Sequence, residues 1–220
     1  SPAQQLTQAA DELSADLIMV GGRGHGVLAE MLLGSVASSL MRVAHCPVLV
    51  HAGPQKERFD SILAAVDLSP ISRNVLENAF GMANRWDSSV RVLSLFEHPF
   101  FETHPQGILP KTVGATEIEA LGEEHRKAVV DLIARVPANG VEVEVDVMSK
   151  APASNAILDV ANLTQSDLIV LGTSGQGAWH RMILGSTANF VSSRSTCPVL
   201  VVPHEVRQES PERVGAALLA

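Results

Sequence analysis

The chain has 220 residues, 46% of them hydrophobic, and carries a formal net charge of −8. That length makes one or two domains with enough apolar material for a buried core, while the acidic balance excludes the basic face that nucleic-acid binding needs. The longest apolar runs, CPVLVHA and TCPVLVVP, are far too short to span a bilayer, so neither nucleic acid nor membrane is expected as a partner.

In chain order, residues 1–52 read as a helix, a short strand in ADLIMV, a glycine turn, a second helix and a last strand in CPVLVHA. Leu28, Leu32, Val36, Leu40 and Val43 recur at spacings of three or four, the stripe of a core-facing helix. Residues 53–58 form a linker. From 59 to 203 the pattern is fuller. FDSILAAVDLS is a strand, Ser72 to Arg85 a helix, VRVLSLF a strand, Thr116 to Arg135 a helix, and VEVEVDVMS a strand. A helix from Ala153 to Leu163, the strand DLIVLG, a second glycine turn, a helix and the strand in TCPVLVVP follow. Residues 97–114, with three prolines, read as a long loop, and 204–220 as a tail whose GAALLA end forms a short helix that docks on a partner. Strands alternating with helices of this length predict an α/β fold with an open, parallel, five-stranded, doubly wound sheet.

The chain also repeats itself. The shift that carries Asp16 onto Asp167 lays SADLIMVGGRGHGVLAEMLLGSVASSLMRVAHCPVLV over QSDLIVLGTSGQGAWHRMILGSTANFVSSRSTCPVLV. The first copy lacks the upstream half that precedes the second. Either the front of that domain has been removed or another chain supplies it, and the strand around Leu17 to Val20 is expected to have one side unpaired. The two CPVLV strands are expected at sheet edges, paired with each other across a pseudo-twofold axis. Cys46 and Cys197 sit in matching apolar contexts that fit buried thiols and a reducing, cytoplasmic compartment.

Four of residues 21–26 are glycine, more than a turn needs to supply positive φ. Parallel sheets bind ligands beyond the carboxyl ends of their strands, and amides at a turn followed by a helix N-terminus favour an anion, phosphate first. The spacing G-x2-G-x9-G-S occurs as Gly21, Gly24, Gly34, Ser35 and again as Gly172, Gly175, Gly185, Ser186. With that spacing twice, each time ending in CPVLV, the chain resembles the ATP-binding universal stress proteins along nearly its whole length.

The resemblance implies an adenine nucleotide α-hydrolase-like fold and ATP, with magnesium, as ligand. It implies that Gly172, Thr173, Gly175, Gln176, Gly185, Ser186 and Thr187 hold ribose and phosphates, that Asp67 lies at the adenine, and that Leu95 presents backbone groups to the base. Gly21, Gly24, Gly34 and Ser35 would form an incomplete or vestigial phosphate site, leaving one nucleotide per chain. It further implies a homodimer, or pairing of domains within the chain, through the last strands, and a role in stress response. The chain departs from the family where Lys150 precedes Ala151-Pro152, and where Gly22 and Val36 replace the Thr173 and Thr187 of the second copy.

Other readings remain. The glycines also suit tight strand-to-helix packing without a ligand, and Asp67 also suits capping of the next helix, as Ser69 and Ser72 do. Gly24-x-Gly26-x-x-Ala29 resembles a dinucleotide turn, but no acidic residue follows at the required distance and the second copy breaks the pattern. A Walker-type loop is absent. His45, His98 and His104 read as surface residues, Trp179 as packing, and no histidine pair has metal-ligand spacing. No nucleophile, base and metal set is legible, so the chain is expected not to be an enzyme, with slow ATP hydrolysis or a nucleotide-free dimerisation module as alternatives.

Overall fold

The computed structural model describes residues 1–22, 33–52, 57–96, 101–104, 107–110, 114–149, 152–175 and 184–204. Gly24, Leu28, Leu32, His98, Lys150, Gln176, Trp179 and the tail from 205 lie outside them. In chain order the elements are α1 (Pro2–Leu13), β1 (Ile18–Gly21), α2 (Ser35–Val43), β2 (Val48–His51), β3 (Ser61–Val66), α3 (Ile71–Trp86), β4 (Ser89–Phe96), β5 (Phe101–His104), β6 (Gly107–Pro110), α4 (Ala115–Ile133), β7 (Val143–Ser149), α5 (Ala153–Leu163), β8 (Leu168–Gly172), α6 (Ser186–Arg194) and β9 (Val199–Val202).

Five strands, in the order β7-β4-β3-β8-β9, make the parallel doubly wound sheet that the sequence predicts. β3 comes first of these in the chain and lies in the middle, so the strand order reverses between β3 and β8, which opens a crevice at their carboxyl ends. Asp167, buried just before β8, ties the two strands together: its Oδ2 accepts from the amides of Asp60 (2.9 Å) and Ser61 (3.2 Å).

The two CPVLV strands do pair, antiparallel, with Val48 opposite Val201, Leu49 opposite Leu200 and Val50 opposite Val199. They are not sheet edges, however. The pairing joins β1 and β2 to the five strands as one seven-stranded sheet, in the order β1-β2-β9-β8-β3-β4-β7, and all six paired residues are buried. Each strand's free N–H and C=O row is consumed by the other, which removes the edge. Helices α1, α2, α5 and α6 cover one face with Leu40, Met41, Ile157 and Val191; α3 and α4 cover the other with Leu76, Phe80 and Val129.

The outer strands are β1 and β7. β7 carries charge on one face, where Arg91 of β4 binds Asp146 (2.8 Å) and Glu144, and Arg126 of α4 caps the Val145 carbonyl (2.9 Å). β1 pairs with β2 alone among the described residues, and the internal repeat measures what that means. Met19 is 65% exposed while Val170, its counterpart in β8 with β3 alongside, is 0% exposed.

Two expectations need correction. Residues 97–114 are not all loop, because β5 and β6 form an antiparallel hairpin from Phe101 opposite Pro110 to His104 opposite Gly107. Proline hid it from the sequence, yet a two-stranded ribbon has an outer side where a missing N–H breaks no ladder bond. The stripe expected from Leu28 is not one continuous helix, because Leu33 and Gly34 are not helical, while Leu28 and Leu32 lie outside the described residues. The described helix begins at Ser35 with Gly34 as N-cap, as α6 begins at Ser186 after Gly185.

Candidate functional site

The carboxyl ends of β3, β4 and β8 and the start of α6 enclose a cavity of about 700 Å³. Asp67, Leu95, Gly172, Thr173, Gly175, Gly185, Ser186 and Thr187 all line it, so every described residue assigned to the nucleotide comes to one place. Gly21, Gly34 and Ser35 do not; they belong to the separate β1-to-α2 turn.

The glycine turn is built by its own backbone. The Thr173 amide donates to the Val202 carbonyl (2.9 Å), the Gly185 amide to the Thr173 carbonyl (2.6 Å), and the Asn189 amide to the Gly185 carbonyl as the first helical bond (3.1 Å). The first copy repeats this with Gly22 to His51 (3.0 Å), Gly34 to Gly22 (2.9 Å) and Ser38 to Gly34 (2.9 Å). The amides of Thr173 and Gly185 are therefore spent inside the protein. Among the described residues, the first turn of α6 offers donors to an anion, since the amides of Ser186, Thr187 and Ala188 have no intrahelical acceptor and Gly185, lacking a side chain, cannot cap them. The hydroxyls of Ser186 and Thr187 add donors.

The glycines also answer to close packing. A Cβ on Gly172 would stand 2.9 Å from Cδ1 and Cγ2 of Ile71, the first residue of α3, so glycine there admits a helix against the strand end. On Gly175 it would meet Asp67 Oδ2 at 2.6 Å, and on Gly185 the Thr173 carbonyl oxygen at 3.1 Å. Packing and ligand readings thus divide the motif between them, with Gly172 serving α3.

Asp67 has both roles considered for it. Its Oδ1 accepts from the Ser69 amide (3.1 Å), the Ser69 hydroxyl and the Ser72 hydroxyl (3.1 Å), while its own amide donates to Ser72 Oγ (3.2 Å). These bonds bind up the β3-to-α3 turn, which also holds Leu68 at φ 61. That left-handed conformation costs a non-glycine residue about 1 kcal/mol or more and survives only where neighbours impose it. The carboxylate is a turn brace and a cavity wall at once.

Sequence reading missed the opposite wall. His125 of α4 lies against the cavity, with its Nε2 2.8 Å from Ser94 Oγ and its ring centroid 5.7 Å from that of Phe96. Ser94, fully buried in β4, bonds the Val66 carbonyl at 2.9 Å. A carbonyl only accepts, so the serine proton goes to Val66 and His125 Nε2–H donates to Ser94. Burial pushes the His125 imidazole below its ordinary pKa of 6.5. One signal was available: His125 precedes the fully buried Val129 by four residues and so shares its inward face. Among the described residues no group of three His, Cys, Asp or Glu is placed to hold a metal ion.

A family model described as the universal stress protein family matches residues 1–51 and 58–203. The chain belongs to the universal stress protein family. A universal stress protein of Mycolicibacterium smegmatis is 32% identical over 197 residues, covering 86% of this chain and 62% of its own length. The chain thus spans less than two thirds of that relative. Universal stress protein MJ0531 of Methanocaldococcus jannaschii is 30% identical over 146 residues, 66% of this chain and 82% of its own. The solved universal stress protein of Archaeoglobus fulgidus superposes with a TM-score of 0.60 at 24% identity over 92% of this chain and 65% of that one, a likeness of fold. The family match breaks at the linker between β2 and β3, which is where the internal repeat also places the seam.

Proposed function

We propose that this universal stress protein binds ATP, with magnesium, in the cavity at the ends of β3, β4 and β8, and serves the stress response through nucleotide-dependent association rather than catalysis. The observation that carries this reading is a cavity of about 700 Å³ that brings together an uncapped helix start and an apolar wall. That volume is within the range of small-molecule sites. Triphosphate suits the first turn of α6, and Leu95, Phe96 and Leu68 suit the faces of a base. Binding would stabilise this arrangement and bias any partner equilibrium that differs between the empty and filled states.

The close Ser94 and His125 pair does not argue for hydrolysis. A general base must accept the nucleophile's proton, whereas here Nε2 donates and the serine proton is held by Val66. Pairing through the last strands is already satisfied within the chain by β2 and β9.

Calorimetric titration of the 220-residue chain with ATP and magnesium tests the proposal. One site per chain, with no phosphate released over the same period, is the expected result. No heat and no protection against thermal unfolding would overturn the binding reading, and sustained phosphate release would overturn the non-catalytic one.

A further inference from the structure

Phe96 and His125 line the cavity, and their contacts with Gly122 and Ser94 are more elaborate than a lining needs. Glycine inside a helix costs about 1 kcal/mol relative to alanine, yet α4 has Gly122 where a Cβ would stand 3.4 Å from two atoms of the Phe96 ring. One helical turn on, His125 stacks at a tilt on the same ring. Its Nε2 is occupied by a serine that is itself fixed to the end of β3, so the ring can neither rotate nor exchange tautomers without breaking that chain. In the neutral imidazole the other nitrogen, Nδ1, then carries a lone pair and is an acceptor.

The position of this acceptor matters. Ser94 is on β4, two strands from β8 with its glycine turn, or roughly 10 Å across the sheet at the usual strand spacing. His125 therefore stands at the end of the cavity away from the helix start that suits phosphate.

We propose that His125, held by Ser94, is the specificity-determining residue for the base: its neutral ring accepts from an exocyclic amino group, so the cavity selects an amino-bearing purine over its 6-oxo counterpart. This rests on a nucleotide occupying the cavity as proposed above. Protonation turns Nδ1 from acceptor to donor, which opposes the amino group and favours the 6-oxo one. The charged groups on the elements around α4 do not replace this switch. On the His125 face of α4 itself, Leu121, Gly122, Ala128 and Val129 are uncharged, and Glu124 and Arg126 flank it in sequence. On β4 and β7, Arg91 is engaged with Glu144 and Asp146; on α3, Arg73 pairs with Glu77 and Arg85 stands in the last turn. Asp67 is the other titratable side chain lining the cavity among the described residues.

The test is the ratio of ATP to inosine triphosphate affinity, measured by competition between about pH 8 and about pH 5, the interval in which histidine changes charge. Both ligands carry the same triphosphate, so its titration cancels. The expected ratio is roughly ten-fold in favour of ATP at the alkaline end, as one hydrogen bond and its mismatch would give, falling to parity or below at the acid end. His125→Gln keeps a donor and an acceptor without titrating and should flatten the pH dependence; His125→Phe should leave a ratio near one throughout. A wild-type ratio independent of pH, or a pH dependence that survives His125→Gln, overturns the inference while leaving ATP binding intact. If neither nucleotide binds at any pH, the ATP reading falls and this one falls with it.

Discussion

The third glycine of each motif copy permits a controlled comparison, because Gly34 and Gly185 have the same local geometry and different surroundings. Both are N-caps with nearly the same backbone, φ −58 and ψ 140 against φ −59 and ψ 147, so alanine meets no backbone strain at either. Alanine at 34 would place its Cβ 3.6 Å from the Gly22 carbonyl oxygen, an ordinary contact. At 185 the Cβ would stand 3.1 Å from the Thr173 carbonyl oxygen and 3.5 Å from Ser174 Cα, both backbone atoms in a turn closed by the 2.6 Å bond from Gly185 to Thr173. Relief requires the turn to shift by a few tenths of an ångström against its own hydrogen bonds, and overpacking of this kind costs about 1–3 kcal/mol. Against this stands a gain of about 0.4–1 kcal/mol at either site from restricting the unfolded chain. Gly34→Ala should therefore be neutral or slightly stabilising, and Gly185→Ala destabilising by about 0–2.6 kcal/mol with a larger loss of ATP affinity. Urea unfolding of both variants, followed by nucleotide titration, measures the difference. If Gly34→Ala destabilises as much as Gly185→Ala, the contact argument is wrong.

Asp67→Ala removes the acceptor of three hydrogen bonds and the support for Leu68, so unfolding midpoints should fall by the equivalent of about 2–3 kcal/mol with ATP affinity falling as well; a variant of unchanged midpoint would deny the brace role. Thr7 of α1 buries a hydroxyl that has no hydrogen-bond partner among the described residues, so Thr7→Val should raise stability by about 1 kcal/mol, read as a higher melting temperature. His125 has its pKa lowered by burial, so the folded state binds its proton less readily than the unfolded one. Its contribution to stability is complete above the ordinary value of 6.5 and is lost as pH falls through the lower folded value, a loss that His125→Gln should remove from the difference between the two pH–stability curves.

Elements with a strong local signal were legible, and contacts between distant segments were not. α5 begins and ends at the predicted residues because Pro152 starts it and its apolar period stops at Leu163, and α3 extends one residue past each predicted end. The pairing of β2 with β9 could be read because the repeat supplies two matching strands, but their interior position depends on both pairing at once. The packing that requires glycine at 172 and 175 comes from Ile71 and Asp67, about a hundred residues earlier in the chain, and no local pattern announces such a neighbour. His125 was overlooked for a related reason. In α4 it sits in the run GEEHRK, which looks like a solvated face, and only its partnership with Ser94, buried on another element, makes it part of a wall.

The division of labour within the turn bears on how a nucleotide would be held. If the amides of Thr173 and Gly185 were phosphate donors, an empty site would have unsatisfied backbone to arrange around each ligand, and ordering it would cost conformational entropy. Instead Thr173 and Gly185 bond Val202 and each other, and Asp67 stands against Gly175, so the frame closes without a ligand. The first copy makes the same two backbone bonds through Gly22 and Gly34 outside this cavity, which shows that they need nothing from the rest of the site. The donors at Ser186, Thr187 and Ala188 are fixed in direction by α6 before anything binds. These described groups need little ordering on binding, and the β4 and α4 wall is what can tell one base from another. That is the reason for expecting selectivity to reside at His125 rather than in the motif by which the chain is recognised.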